Sequence, residues 1–150
     1  MADEPRTKEQ RKADVLARLS APVADAFVAT ADGDQPALVP FTLCWFGERL
    51  LLATGRKSIT VRNLTASGRA RIGFAPTRDV IMIDVALEAT LPVASAEAEG
   101  AAYAEQNDWD PREAGEAYVF LVLRPVRIQA WREENELPGR LLMRDGEWLV

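Results

Sequence analysis

Arg49-Leu50-Leu51-Leu52-Ala53-Thr54-Gly55-Arg56-Lys57-Ser58-Ile59-Thr60-Val61-Arg62-Asn63-Leu64 reads as an apolar strand that turns at a glycine into a short helix opened by cations and hydroxyls. The first turn of a helix carries N–H groups without intrahelical partners and the positive end of the helix dipole, so such a corner has the chemistry of a phosphate site. Arg56 and Lys57 add full charges, and Ser58 can cap the helix or donate to a phosphate oxygen. Arg62 stands four residues beyond Ser58, about one helical turn away, within reach of the same anion. The same residues also read as an ordinary strand-to-helix corner with a serine cap and three solvated cations, and the local sequence leaves both readings open.

Outward from this corner the chain alternates strands and turns. Upstream, Asp25 to Ala31 reads as a strand, Asp32-Gly33-Asp34 as a hairpin turn, and Ala37 to Phe46 as the return strand, with Gly47-Glu48 leading into Arg49. Pro40 within the return strand cannot donate a ladder hydrogen bond, which implies an edge, a bulge or a close ligand approach. Downstream, Arg69 to Ala75 alternates, and Asp79 to Thr90 sets Ile81, Ile83, Val85 and Leu87 on one face and Asp84 and Glu88 on the other. Tyr118 to Trp131 is the longest strand, apolar enough at its start to be buried on both faces and interrupted at Pro125. Helices are predicted at 7–19, with Val15, Leu16 and Leu19 as the apolar stripe and Arg11 among the charges facing elsewhere, and at 95–105. Residues 132–150 form a C-terminal arm with turns at Pro138-Gly139 and Asp145-Gly146, and its Leu141, Leu142, Met143 and Trp148 are expected to need cover from a second copy. The whole reads as one domain over 1–150: mainly β in an α+β arrangement, an antiparallel barrel of about six strands with helices outside.

Composition narrows the function. At 150 residues, 48% hydrophobic and 27% charged, the chain has room for one proper core. A net charge of −5 argues against nucleic acid as a partner, so any phosphate must be held by a local basic site. No apolar run reaches the roughly 20 residues of a membrane span, and Met1-Ala2-Asp3-Glu4-Pro5-Arg6 is charged where a signal peptide is hydrophobic, which predicts a cytoplasmic protein without a membrane partner. With no histidine and the single Cys44, there can be no His/Cys zinc site and no Ser-His-Asp or Cys-His hydrolase, and no metal site is expected. Cys44, in Leu43-Cys44-Trp45-Phe46, reads as a core thiol.

The order of strand, Asp-Gly hairpin, strand with Val39-Pro40, Gly-Glu turn, strand ending Ala53-Thr54, then Gly55-Arg56-Lys57-Ser58 and Val61-Arg62-Asn63-Leu64 resembles the split β-barrel flavoproteins related to pyridoxamine 5'-phosphate oxidase. The resemblance runs from about Val15 to Trp131 and is densest between Ala29 and Leu64. It implies a six-stranded antiparallel split barrel, a homodimer, and FMN or the deazaflavin coenzyme F-420 in a groove between subunits. Ser58 matches the family's phosphate-contacting serine, Arg56, Lys57 and Arg62 its basic surroundings, and Thr54 the strand-end threonine beside the phosphate. Val39, Pro40, Phe41 and Thr42 match the strand whose backbone borders the isoalloxazine ring. Trp131 matches a frequent aromatic near the dimer-related site, and reads equally as a core tryptophan at a barrel seam. Trp109, on a loop, is a candidate substrate lid, and Arg69, Arg71 and Arg78 are candidates to line a basic groove suited to the anionic tail of F-420.

Two departures stand out. Where the family commonly has lysine two residues after the serine, this chain has Thr60. The oxidase's substrate-binding arginine and histidine pattern near the C-terminus is absent, which argues against that enzyme's own reaction. The resemblance therefore implies a flavin- or deazaflavin-dependent oxidoreductase moving a hydride between coenzyme and a small organic substrate, with no side chain singled out as catalytic. The alternative is a dimeric carrier or sensor that binds the coenzyme without turnover.

Overall fold

The computed structural model describes residues 3–150; Met1 and Ala2, which open the charged N-terminal stretch, lie outside the described residues. Helix α1 (Lys8–Ser20) is capped by Thr7, whose side chain accepts from the Gln10 N–H at 3.1 Å. Its buried stripe is Arg11, Val15 and Leu19, spaced one turn apart. This corrects the expectation that Arg11 faces outward with the other charges. Its guanidinium donates to the carbonyls of Glu136 at 2.9 Å, Ala130 at 3.3 Å and Arg6 at 3.2 Å, so backbone acceptors replace water around a buried cation.

Six antiparallel strands close into a barrel: β1 (Ala24–Asp32), β2 (Gln35–Phe46), β3 (Arg49–Gly55), β4 (Arg69–Phe74), β5 (Val80–Pro92) and β6 (Tyr118–Trp131). The order is β3-β2-β1-β4-β5-β6, and pairing of β3 with β6 completes the ring. Alternation sends Val28, Leu43, Leu50, Leu52, Ile72, Ile83, Leu121, Leu123 and Ile128 into one interior cluster, to which α1 adds Val15 and Leu19. Helix α2 (Ile59–Ser67) links β3 to β4 and adds Leu64 to the same cluster. Gly68, at φ +73, ends it in a left-handed cap.

The barrel is split because one of its ladders is short. The β2–β3 ladder runs only from Phe46↔Arg49 to Cys44↔Leu51, and beyond it β2 keeps only β1 as a neighbour and β3 only β6. One edge of β6 pairs with β3 along its first half; its second half pairs with β7 (Leu141–Arg144), which turns into β8 (Glu147–Trp148). Strand β6 continues through Pro125: the register steps from Val85↔Pro125 to Asp84↔Arg127, a bulge that skips Val126.

Outside the barrel, α3 (Glu97–Gln106) and the 3-10 turn Val93–Ser95 bury Cys44, Leu51, Ala53 and Phe120 in a second cluster, which explains why the start of β6 is apolar on both faces. Helix α3 and its C-cap Asn107 are tied to β2 by side chains: the Tyr103 hydroxyl donates to Thr42 O at 2.9 Å, Asn107 Nδ2 to Leu43 O at 3.1 Å, and Trp45 N donates to Gln106 Oε1 at 2.9 Å. Burial pushes the Cys44 thiol up to about 11, so it stays protonated as a core group.

Candidate functional site

Strand β3 delivers the cationic corner. Leu50 and Leu52 point inward, so Thr54 does too, and it is buried at the end of the barrel. After Gly55↔Tyr118 the chain leaves the sheet, with Arg56 N donating to Ala117 O at 2.9 Å and Ser58 N to Gly55 O at 2.9 Å. Ser58 is the N-cap of α2: its Oγ accepts from Val61 N at 3.3 Å, leaving its own proton free to donate outward.

Arg56, Lys57 and Arg62 are exposed. Among the described residues none of the three has an ion pair or a side-chain hydrogen bond, whereas most of the chain's other arginines are engaged. The donor set of one capping hydroxyl, the free N–H groups of a helical first turn and three uncommitted cations fits a phosphate. Arg56 also faces a cleft of about 550 Å³ that it shares with Pro92, Ala94 and Glu116. Thr60 lies on the inner stripe of α2 with Asn63 and Leu64, 1% exposed. The corner's charge therefore rests on the other three residues.

Asn63 was not among the residues expected to matter. Its Nδ2 donates to Thr30 Oγ1 at 3.1 Å with both groups buried, which fixes α2 against β1. A polar residue one turn from Thr60, beside Leu64, was the only signal for it.

Val39, Pro40, Phe41 and Thr42 lie on the stretch of β2 that has left β3. Val39 and Phe41 pair with the core residues Val28 and Ala26, so they face inward; Pro40 and Thr42 pair with Phe27 and Asp25 on the outer face. Continuing the β2–β3 register past Cys44↔Leu51 sets Phe41 opposite Thr54 and Pro40 opposite Gly55. The candidate ring-bordering strand and the candidate phosphate corner thus flank one seam. The Thr42 hydroxyl donates to Asp25 Oδ1 at 2.5 Å.

Trp131 is not brought to this seam within one chain. It ends β6, 13 residues beyond the Tyr118 that pairs with Gly55, roughly 40 Å along the strand. Trp109 lies much nearer: 42% exposed, it meets Tyr118 edge-on at 5.8 Å and Tyr103 at 6.1 Å. Arg69 and Arg71 share a groove, but Arg78 is elsewhere, 3.7 Å from Glu133. The tail is also corrected: Leu142 and Met143, expected to need cover from a partner, are buried in the chain's own core because β7 joins the edge of β6. The large apolar side chains left exposed on the sheet are Phe27 at 48%, Leu38 at 64% and, at the end of β2, Phe46 at 39%.

No family model and no curated protein matches the sequence. Solved structures match its fold. A structure titled F420 reductase aligns at 21% identity with a TM-score of 0.61, over 75% of this chain and 93% of its own. A Listeria innocua protein provisionally named a pyridoxamine 5'-phosphate oxidase aligns at 16% identity and TM-score 0.64, over 81% and 98%. General stress protein 26 from Bacillus anthracis aligns at 15% identity and TM-score 0.62, over 85% and 95%. The chain has the split-barrel fold of the pyridoxamine 5'-phosphate oxidase-like proteins.

Proposed function

We infer that this protein binds a flavin-type coenzyme, FMN or the deazaflavin F-420, and works as an oxidoreductase that passes a hydride between it and a small organic substrate. The observation that carries the reading is the set of uncommitted cations at the N-terminus of α2, beside a capping serine whose proton is free. Ser58, Arg56, Lys57 and Arg62 would hold the phosphate; Val39 to Thr42 would border the ring across the seam from Thr54. When bound, the coenzyme supplies the hydride chemistry. The chain's own part is to orient it, screen it from water and neutralise its phosphate. That division of labour suits a protein without histidine.

The protein is proposed to work as a cytoplasmic homodimer. Phe27 and Leu38 form an apolar outer face that a second copy would cover, and the distance of Trp131 from its own chain's corner is consistent with its serving the partner's site. The second reading, a coenzyme carrier or sensor without turnover, is favoured by Thr60: a buried threonine where the family has a cation. Parallel titrations with FMN and F-420, followed by stopped-flow reoxidation of the reduced coenzyme by candidate acceptors, separate these. Binding with faster reoxidation than free coenzyme supports the oxidoreductase, binding without acceleration supports the carrier, and binding of neither coenzyme refutes both.

A further inference from the structure

A second set of uncommitted cations lies away from the corner. Six arginine side chains have neither an ion pair nor a hydrogen bond among the described residues; Arg56 and Arg62 belong to the corner, and Arg69, Arg124, Arg127 and Arg144 all line one groove of about 1240 Å³. The strand register explains how they meet. Arg71 (β4), Asp84 (β5) and Arg127 (β6) form one cross-strand row, and Arg69, Ala86 and Arg124 form the next. Arg124 and Arg127 are three apart, a spacing that regular alternation would send to opposite faces. The bulge at Val126 returns both to the outer face.

The result is four guanidinium groups rooted at the corners of a rectangle about 7 Å along the strands and about 10 Å across. Asp84 is already engaged by Arg71 through two contacts, Nε to Oδ1 at 2.5 Å and Nη2 to Oδ2 at 3.0 Å. The row of Arg69 and Arg124 has only Ala86 between them. Ala29, Ala31 and Ala86 line the groove with small side chains that give it depth, and the β7–β8 turn walls one side with Arg144 and Asp145. Like charges repel across the intervening strand too, and five arginines stand here against two aspartates in a chain whose net charge is −5.

We propose that this groove is an anion site separate from the coenzyme corner, taking a small molecule with two or more phosphate or carboxylate groups about 7–10 Å apart, the spacing of the arginine roots. Arg69 and Arg71 are also the candidates to line a groove for the F-420 tail, but the cluster stands whether or not that coenzyme binds.

The test is calorimetric titration with inorganic tripolyphosphate and, in a second arm, citrate, on a Ser58→Asp variant, which weakens anion binding at the corner, with the groove variants made in the same background. Saturable binding of either probe that weakens with added salt is expected, and the stronger probe identifies phosphate or carboxylate as the preferred group. Arg69→Ala/Arg124→Ala should lower affinity at least about tenfold. Ala86→Asp, which keeps every arginine but places a carboxylate between two of them, should do the same, while Arg78→Ala should leave binding unchanged. Melting curves check that each variant is folded. No binding of either probe to a folded Ser58→Asp protein, unchanged affinity in both groove variants, or tighter binding of a short single-stranded oligonucleotide than of both probes would overturn the proposal. So would a change of oligomeric state in the groove variants, which would assign the arginines to contact with a second copy.

Discussion

Substitutions at Ser58 separate its two roles. In Ser58→Ala the Oγ that accepts from Val61 N is lost, and with it about 1 kcal/mol of helix capping. For a chain of this length that lowers the melting temperature by about 2–4 °C. The same change removes a hydroxyl donor to phosphate, a charge-assisted bond of about 1.5–3 kcal/mol, so FMN affinity should fall roughly ten- to a hundredfold. Ser58→Asp keeps an N-cap acceptor beside the positive end of the α2 dipole, so its melting temperature should stay near that of the parent. It cannot donate, however, and it sets a carboxylate against the phosphate. Two unit charges about 4 Å apart near a surface repel by about 1–4 kcal/mol, so FMN affinity should fall further than in Ser58→Ala although the fold is more stable. Differential scanning fluorimetry reads the first effect, and fluorescence titration with FMN and riboflavin in parallel reads the second. Riboflavin, which lacks the phosphate, should bind all three proteins alike. Equal losses for riboflavin and FMN, or parent-like FMN binding by Ser58→Asp, would refute a phosphate held at this corner.

Glu136 is buried and accepts from Arg6 N, Nε and Nη2 and from Arg132 N at 2.8–3.0 Å, and these bonds hold its carboxyl down at about 2. Because the folded value lies below the ordinary value of 4.5, this stabilisation of about 3 kcal/mol is present above about pH 4.5 and drains away as pH falls towards 2; Glu136→Gln should remove a similar amount at pH 7 and flatten that part of a urea-denaturation pH profile. Cys44, with its thiol pushed up to about 11, should react with a disulfide reagent only on unfolding; rapid labelling of the native protein would show the outer cluster to be open. Leu38→Glu, at an exposed position, should convert a dimer to a monomer by light scattering with little change in the monomer's own stability, and a dimer that persists would place the interface elsewhere.

The strands were legible because their period is local. Arg69 to Phe74 alternates cleanly between exposed and buried, and the apolar start of β6 announced burial on both sides. The corner was legible for the same reason, since Gly55, Ser58 and the cations are neighbours in sequence as well as in space. What depends on remote partners was not. Arg11 counts as a surface charge until residues 119 and 125 positions away supply carbonyls for it. Nothing beside Glu136 marks it as the acceptor for an arginine 130 residues upstream. Pro125 signalled an interruption, but only pairing with β5 reveals that the irregularity keeps Arg124 and Arg127 on one face.

The divided edge of β6 has a practical consequence for anyone shortening this protein. A chain cut before Leu141 would lose the strand that pairs with Ile128 and Gln129, along with the buried Leu142 and Met143, and would leave that half of β6 as a naked edge beside an open core. Unpaired strand edges recruit foreign strands, so such truncations should precipitate or entangle with their neighbours, and an affinity tag is better carried at the N-terminus than spliced in place of the final hairpin.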